Sequence, residues 1–254
     1  MTPRKVTKRT LIQRLVEAGT APDRETAGKW ILAGLVRVNG ERGDKAGMLV
    51  PDDAVVEVAQ SREFVGRGAY KLEAALKAFP IPVAGAVCAD VGVCTGGFTE
   101  VLLRADAKKV FAIDVGYGDL DWKIRSDSRV VVMERTNARH VESLEEPVSV
   151  VSIDVSFISL TKILPAVARW LAPQAHIVAL VKPQFEAHRS EIGPGGIVVD
   201  PVVHQRVVSE VSQSAEALGL RQHGVLPSPI LGTEGNKEFL LWLRQERPVE
   251  RREG

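Results

Sequence analysis

The chain has 254 residues, 45% hydrophobic and 26% charged, which suits one medium domain plus a small one and excludes a globally disordered chain. Its net charge is +1, yet residues 1–45 carry ten lysines and arginines against five acids, so a basic head of +5 precedes a body of −4, a split that suits a polyanion partner. No run approaches the length of a membrane-spanning helix, no apolar stretch follows the basic start as in a signal peptide, and two cysteines without metal-ligand spacing argue against a disulfide framework or metal site and for a cytoplasmic protein.

In the head, Leu11, Ile12, Leu15 and Val16 share one helical face, and Gly19 ends that helix. Asp23 is the expected cap of a second helix, with Ala27, Trp30 and Ile31 facing inward before Gly34. Leu35, Val36 and Val38 lead into Asn39-Gly40, a hairpin signal, and Val55, Val56 and Val58 form another strand. Two small helices and a short sheet make a module with a basic helical face. The stretches LVEAG (15–19), DRETAGKWILAG (23–34) and VRVNG (36–40) resemble the S4-type RNA-binding domain. That family usually opens its first helix with Arg-Leu-Asp, where this chain has Thr10-Leu11-Ile12; Lys8, Arg9 and Arg14 are the expected substitutes. The resemblance implies RNA contacts from Lys8, Arg9, Arg14, Arg24, Lys29, Arg37 and Arg67.

The expected boundaries are an RNA-binding domain over 1–60, a polar linker over 61–68 and a second domain over 69–254. Tyr70, Leu72, Ala74, Ala75 and Phe79 describe a helix closed by Pro80, with Lys71 at its start. Residues 86–89 form a strand, 90–99 a glycine loop and 100–104 a helix start. Strands follow at 109–113, ending on Asp114, at 130–133, and at 148–154, ending on Asp154. A helix is expected over 159–171, from Ser159 to just before Pro173, then a strand over 177–181 ending on Lys182-Pro183. Residues 186–199 read as a glycine-rich loop or lid, 202–218 as a helix stopped by Gly219, and Val225 as the start of a strand region. The last strand is 239–243, and the charged tail 245–254 is expected to fray. Alternating strands and helices imply an α/β, doubly wound, mostly parallel sheet that binds ligands beyond its carboxyl edge.

The loop DVGVCTGGFT (90–99) has the spacing D-x-G-x-x-x-G-G rather than the G-x-G-x-x-G of dinucleotide sites. Its glycines allow tight turning and close backbone approach, and the following helix start offers free N–H groups. It resembles motif I of class I S-adenosylmethionine methyltransferases. Asp114, about twenty residues on, fits a ribose-hydroxyl ligand. The expected cofactor contacts are Asp90, Gly92, Thr95, Gly96, Gly97, Phe98, Asp114, Asp154 and Asn137, the last accepting from an adenine amino group. Relatives of that fold often carry Asp where this chain has Asn137. Cys94 reads as a small loop residue.

Four polar residues close four separate segments: Lys71, Asp154, Lys182 and Glu238. With RGAYKLEAAL (67–76), DVGYGDLDWKIRSDSRV (114–130), ERTNAR (134–139), SIDVSFISL (152–160), LVKPQFE (180–186) and EGNKEFLLWL (234–243), the chain resembles the TlyA family, often called hemolysin A-like, which carries an FtsJ-type methyltransferase domain. The resemblance spans nearly the whole chain. It implies a class I, Rossmann-like fold, S-adenosyl-L-methionine as cofactor, rRNA or a ribosomal subunit as partner, 2′-O-ribose methylation with cytidine as the expected nucleoside, and a Lys71-Asp154-Lys182-Glu238 tetrad. A ribose hydroxyl is a weak nucleophile, so a base must take its proton during attack. Lys182 is the expected base, Lys71 and Asp154 tune it, and Glu238 orients. The rival readings are a pore-forming hemolysin and a non-catalytic ribosome-assembly factor; the loop spacing disfavours a nicotinamide oxidoreductase.

Overall fold

Thr10 explains how the first helix begins without the usual Arg-Leu-Asp. Its hydroxyl accepts from the Gln13 N–H while the Gln13 side chain accepts from the Thr10 N–H, a reciprocal cap at the junction of strand β1 (Lys8–Thr10) and helix α1 (Leu11–Glu17). Asp23 caps helix α2 (Arg24–Leu32) as expected, its Oδ1 accepting the Thr26 N–H at 2.7 Å. Strands β2 (Val36–Val38) and β3 (Glu41–Arg42) form a hairpin. Its turn needs positive φ at both central residues, which Asn39 (51°) and Gly40 (84°) supply. Strand β4 (Leu49–Pro51) pairs with β1, and β5 (Val56–Val58) with β2. Leu11, Leu15, Ala27, Ile31, Val36 and Val50 close the small core.

The computed structural model describes residues 8–32, 34–58 and 63–246. The first residues of the basic head, the start of the predicted linker and most of the charged tail lie outside them. Chain contacts divide the protein into two units, one ending at Glu63 and one beginning at Phe64.

The second unit runs α3 (Ala69–Ala78), β6 (Val87–Val91), α4 (Gly97–Arg104), β7 (Lys109–Ile113), α5 (Trp122–Arg125), β8 (Val130–Met133), β9 (Val148–Ile153), α6 (Leu164–Val167), β10 (Leu171–Val181), α7 (Pro183–Glu186), α8 (Pro201–Glu216), β11 (Leu220–Pro227) and β12 (Phe239–Gln245). Its seven strands lie in the order β11-β12-β10-β9-β6-β7-β8. The five from β10 to β8 are parallel; β12 is antiparallel to both of its neighbours. The two-residue strand period splits the core into two layers. Ala89, Phe111, Val151 and Ile177 face one; Cys88, Val110, Val150 and Val178 face the other. The α/β doubly wound reading is correct.

Two expectations need correction. Residues 159–171 are not one helix: a 3₁₀ turn at Leu160–Lys162, helix α6 and a second 3₁₀ turn at Ala168–Trp170 replace it. Pro165 has no N–H to donate and is tolerated only in a first turn, so the helix restarts at Leu164. The next strand starts at Leu171, six residues earlier than expected. Pro173, which cannot donate to a ladder, sits with Gln174 (φ 62°) where the β9–β10 register shifts. Helix α5, capped by Asp121, had no counterpart in the sequence reading.

Candidate active site

The glycine loop begins where β6 ends. Gly92 has φ 86°, and a Cβ there would stand 2.2 Å from the backbone oxygen of Asp154, so only glycine lets the loops after β6 and β9 approach this closely. Beyond it, the Cys94 N–H donates to Asp114 Oδ2 and the Gly116 N–H to Asp114 Oδ1, both at 2.7 Å. These bonds fix the carboxylate at the end of β7 and leave each oxygen a further lone pair for a ligand hydroxyl. A cavity of about 370 Å³ opens here, lined by Gly92, Cys94, Asp114, Val115, Thr136, Asn137, Phe157, Ile158 and Ile163 among others. Asn137 borders it, and its side-chain oxygen already accepts the Arg139 N–H and starts a 3₁₀ turn.

A second cavity, of about 280 Å³, shares Gly92, Cys94, Asp154 and Ser156 with the first. All four tetrad residues line it, with Arg67, Thr95, Gly97 and Phe98. Lys71 reaches it from the first turn of α3, Asp154 from the end of β9, Lys182 from the end of β10 and Glu238 from the start of β12. Antiparallel β12 accounts for the last of these, because its register pairs Val181 with Phe239 and sets its beginning beside the end of β10. Lys71 Nζ donates to Glu238 Oε2 at 2.6 Å, and Lys182 Nζ stands 2.6 Å from Asp154 Oδ1. Each buried lysine thus has a carboxylate of its own within 2.6 Å. Lys182 also donates to Ser156 Oγ at 2.9 Å.

Three expected residues have other neighbours in the structure. Asp90 lines neither cavity. It is fully buried beneath the loop, its oxygens accepting the Thr99 and Ser152 hydroxyls at 2.7 and 2.8 Å. Burial pushes its carboxyl up to about 7, partly offset by those two bonds. Gly96 (φ 94°) also lines neither cavity; it packs against Leu120 and Ile124. Arg14 braces the first unit, its guanidinium donating to the Asp52 and Ala54 carbonyls at 3.1 and 3.4 Å.

Of the other basic candidates, Lys8 and Arg24 are exposed. Arg9 pairs with Glu17 and Asp52, exposed Lys29 with Glu25, and Arg37 donates to the Gly40 carbonyl. Arg67 belongs to the second unit, exposed at the tetrad cavity.

Sequence reasoning passed over Ser156, Phe157 and Glu186, all within quoted motifs that follow β9 and β10. Phe157 (φ 63°) is 90% exposed, its ring 5.2 Å from Phe185. Glu186 accepts the Ser159 hydroxyl at 2.6 Å and the Leu160 N–H at 2.8 Å, joining the two motif loops; burial raises its pKa. The available signal was position, since polar and aromatic residues just past parallel strands face the ligand edge. Residues 186–199 hold two 3₁₀ turns and are pinned by Asn236, which bonds the Val198 N–H and the Gly196 carbonyl.

Comparison with known proteins places these features in a family. The FtsJ-like methyltransferase family matches residues 64–245 and the S4 domain residues 9–56. The chain is 48% identical over 236 residues to the 16S/23S rRNA (cytidine-2′-O)-methyltransferase TlyA of Mycobacterium tuberculosis, covering 91% of this chain and 88% of that one. A solved structure from Streptococcus thermophilus that bears a hemolysin name is 42% identical, with a TM-score of 0.71 over 95% of this chain and 90% of that one. The S-adenosylmethionine dependent methyltransferase structure from Mesorhizobium loti shares only 14% identity, with a TM-score of 0.54 over 70% of this chain and 98% of that one, a likeness of fold.

Proposed function

The chain belongs to the FtsJ-like methyltransferase family and to its TlyA branch, and from that premise we propose that it methylates the 2′-hydroxyl of a cytidine in rRNA. The observation that carries this reading is the meeting of two lysine–carboxylate pairs in one cavity that adjoins, at Gly92, the cavity bordered by Asp114.

The first cavity suits an adenosine. Asp114 offers free lone pairs to a ribose diol, and Val115, Phe157, Ile158 and Ile163 give a flat base apolar walls. S-adenosylmethionine, when bound, supplies a methyl group made electrophilic by its sulfonium. The second cavity receives the target ribose. There Lys182, having first lost its own proton to solvent, accepts the proton of the 2′-hydroxyl as its oxygen attacks, and Asp154 holds the amine in place. Lys71 and Glu238 form the opposite wall, and their ion pair supports the pocket's shape. Alignment of the two substrates supplies much of the rate. The S4 unit, with its +5 head, supplies sequence-independent RNA affinity. An rRNA substrate puts the enzyme in the compartment where ribosomes are made.

The pore-forming reading is not favoured: among the described residues no helix is long and apolar enough to cross a membrane. The assembled tetrad speaks against a purely non-catalytic assembly factor. The test is single-turnover transfer of labelled methyl to unmodified rRNA at saturating cofactor. Lys182→Ala and Lys182→Arg should each bind both substrates normally and lose about a hundredfold or more in rate, since a guanidinium stays protonated. Substantial activity in the arginine variant would refute proton removal by Lys182.

A further inference from the structure

We infer that Ser156 is a positioning residue for Lys182: its hydroxyl fixes the direction in which the amine presents its lone pair. The inference rests on the reading of Lys182 as proton acceptor. Lys182 Nζ forms an ion pair with Asp154 Oδ1 at 2.6 Å and donates to Ser156 Oγ at 2.9 Å, both on the same loop after β9. A neutral amine carries two N–H groups and one lone pair. Were Asp154 its sole partner, the amine would turn about its Cε–Nζ bond and the lone pair would sweep through several directions. With one N–H directed at Ser156 and the Asp154 carboxylate beside the amine, that rotation is restricted and the lone pair is turned away from both. Ser156 lines both cavities, so this constraint acts at the junction where methyl donor and ribose meet.

The loop that carries Ser156 is itself anchored. Asp154 takes its backbone position from the bond of its N–H to the Val91 carbonyl. Three residues beyond Ser156, the Ser159 hydroxyl and the Leu160 N–H are held by Glu186. The hydroxyl is therefore presented from a segment tied at both ends. In the step it assists, the ribose O–H bond breaks and its proton passes to Lys182 Nζ. The O–C bond forms as the S–C bond of the sulfonium breaks, leaving a neutral thioether. The resulting ammonium keeps its ion pair with Asp154 and its bond to Ser156 and points a free N–H at the new ether oxygen or solvent.

The experiment is a mutant cycle on the full chain, read by single-turnover methyl transfer to unmodified rRNA, with cofactor and RNA affinities measured for every variant. Ser156→Ala should slow transfer by about tenfold with both affinities unchanged, the loss expected for one hydrogen bond to the reacting group. Ser156→Thr keeps the hydroxyl and should recover most of the rate. In a Lys182→Ala background, adding Ser156→Ala should cost nothing further, because a residue acting through Lys182 has nothing left to orient. Wild-type speed in Ser156→Ala, or an equal slowing in both backgrounds, would overturn the inference while leaving Lys182 in its role. Wild-type speed in Lys182→Ala would instead remove the base assignment and the inference together.

Discussion

Removing Lys71 tests the energetics of the site most directly. The Lys71 and Glu238 side chains are 10% and 3% exposed and meet at 2.6 Å. Lys71→Met keeps the apolar stem and deletes the charge, stranding the Glu238 carboxylate in a place water hardly reaches. Breaking a buried pair from one side costs about 3–5 kcal/mol. Lys71→Met should therefore lose about 3–5 kcal/mol in urea unfolding at pH 7. Lys71→Met combined with Glu238→Gln should recover most of the loss, because no unpaired charge remains. Equilibrium urea titrations, with the slope of each transition compared, supply the measurement. A single variant within 1 kcal/mol of wild type, or a double variant whose loss equals the sum of the two singles, would refute the account of the pair as a coupled buried unit.

Four further outcomes are expected. Asp114→Ala should weaken S-adenosylmethionine binding in calorimetry by tenfold or more, since it removes both the ribose acceptor and the anchor of the Cys94 and Gly116 amides; unchanged affinity would take Asp114 out of the site. Gly92→Ala, which sets a Cβ 2.2 Å from a backbone oxygen at φ 86°, should cost about 2 kcal/mol or more in thermal unfolding and displace the Asp154 loop. Burial pushes Asp90 up to about 7 in the folded chain, against 3.8 for a free carboxyl, so between those values it holds its proton only when folded. Its contribution to stability is full below about 4 and fades as the pH rises through about 7. Asp90→Asn should accordingly gain on wild type in urea midpoints as the pH rises from about 4 to about 7, and parallel curves would count against it. Deleting residues 1–60 should weaken rRNA binding and flatten its dependence on salt more than it alters cofactor affinity; an unchanged salt slope would place the RNA contacts elsewhere.

Much of the site was legible because its residues sit at ends of elements, where sequence signals are strongest. A glycine cluster after an apolar run and lone charged residues closing apolar runs marked Gly92, Asp114, Asp154 and Lys182. Other features depend on neighbours that no local pattern reveals. Asp90 shares a motif with the loop but points into the protein, where Thr99 and Ser152, 9 and 62 residues away in sequence, receive it. Arg14 carries a charge on a helix and reads as a surface contact until the Asp52 and Ala54 carbonyls, 38 and 40 residues on, come within reach. The broken segment 159–171 was misread because the apolar residues around Pro165 suit one buried helix as well as several short turns. Extension of β10 through Pro173 required the register shift against β9, which is a property of two strands rather than one.

The antiparallel course of β12 makes the cavity depend on the far end of the chain. Lys71, Asp154 and Lys182 all precede Glu238, which stands at the start of the last strand, between β10 and β11. Without that strand Lys71 lacks its carboxylate and the cavity lacks a wall, so a chain that ends before residue 238 holds three of the four charged residues and not the cavity they line together.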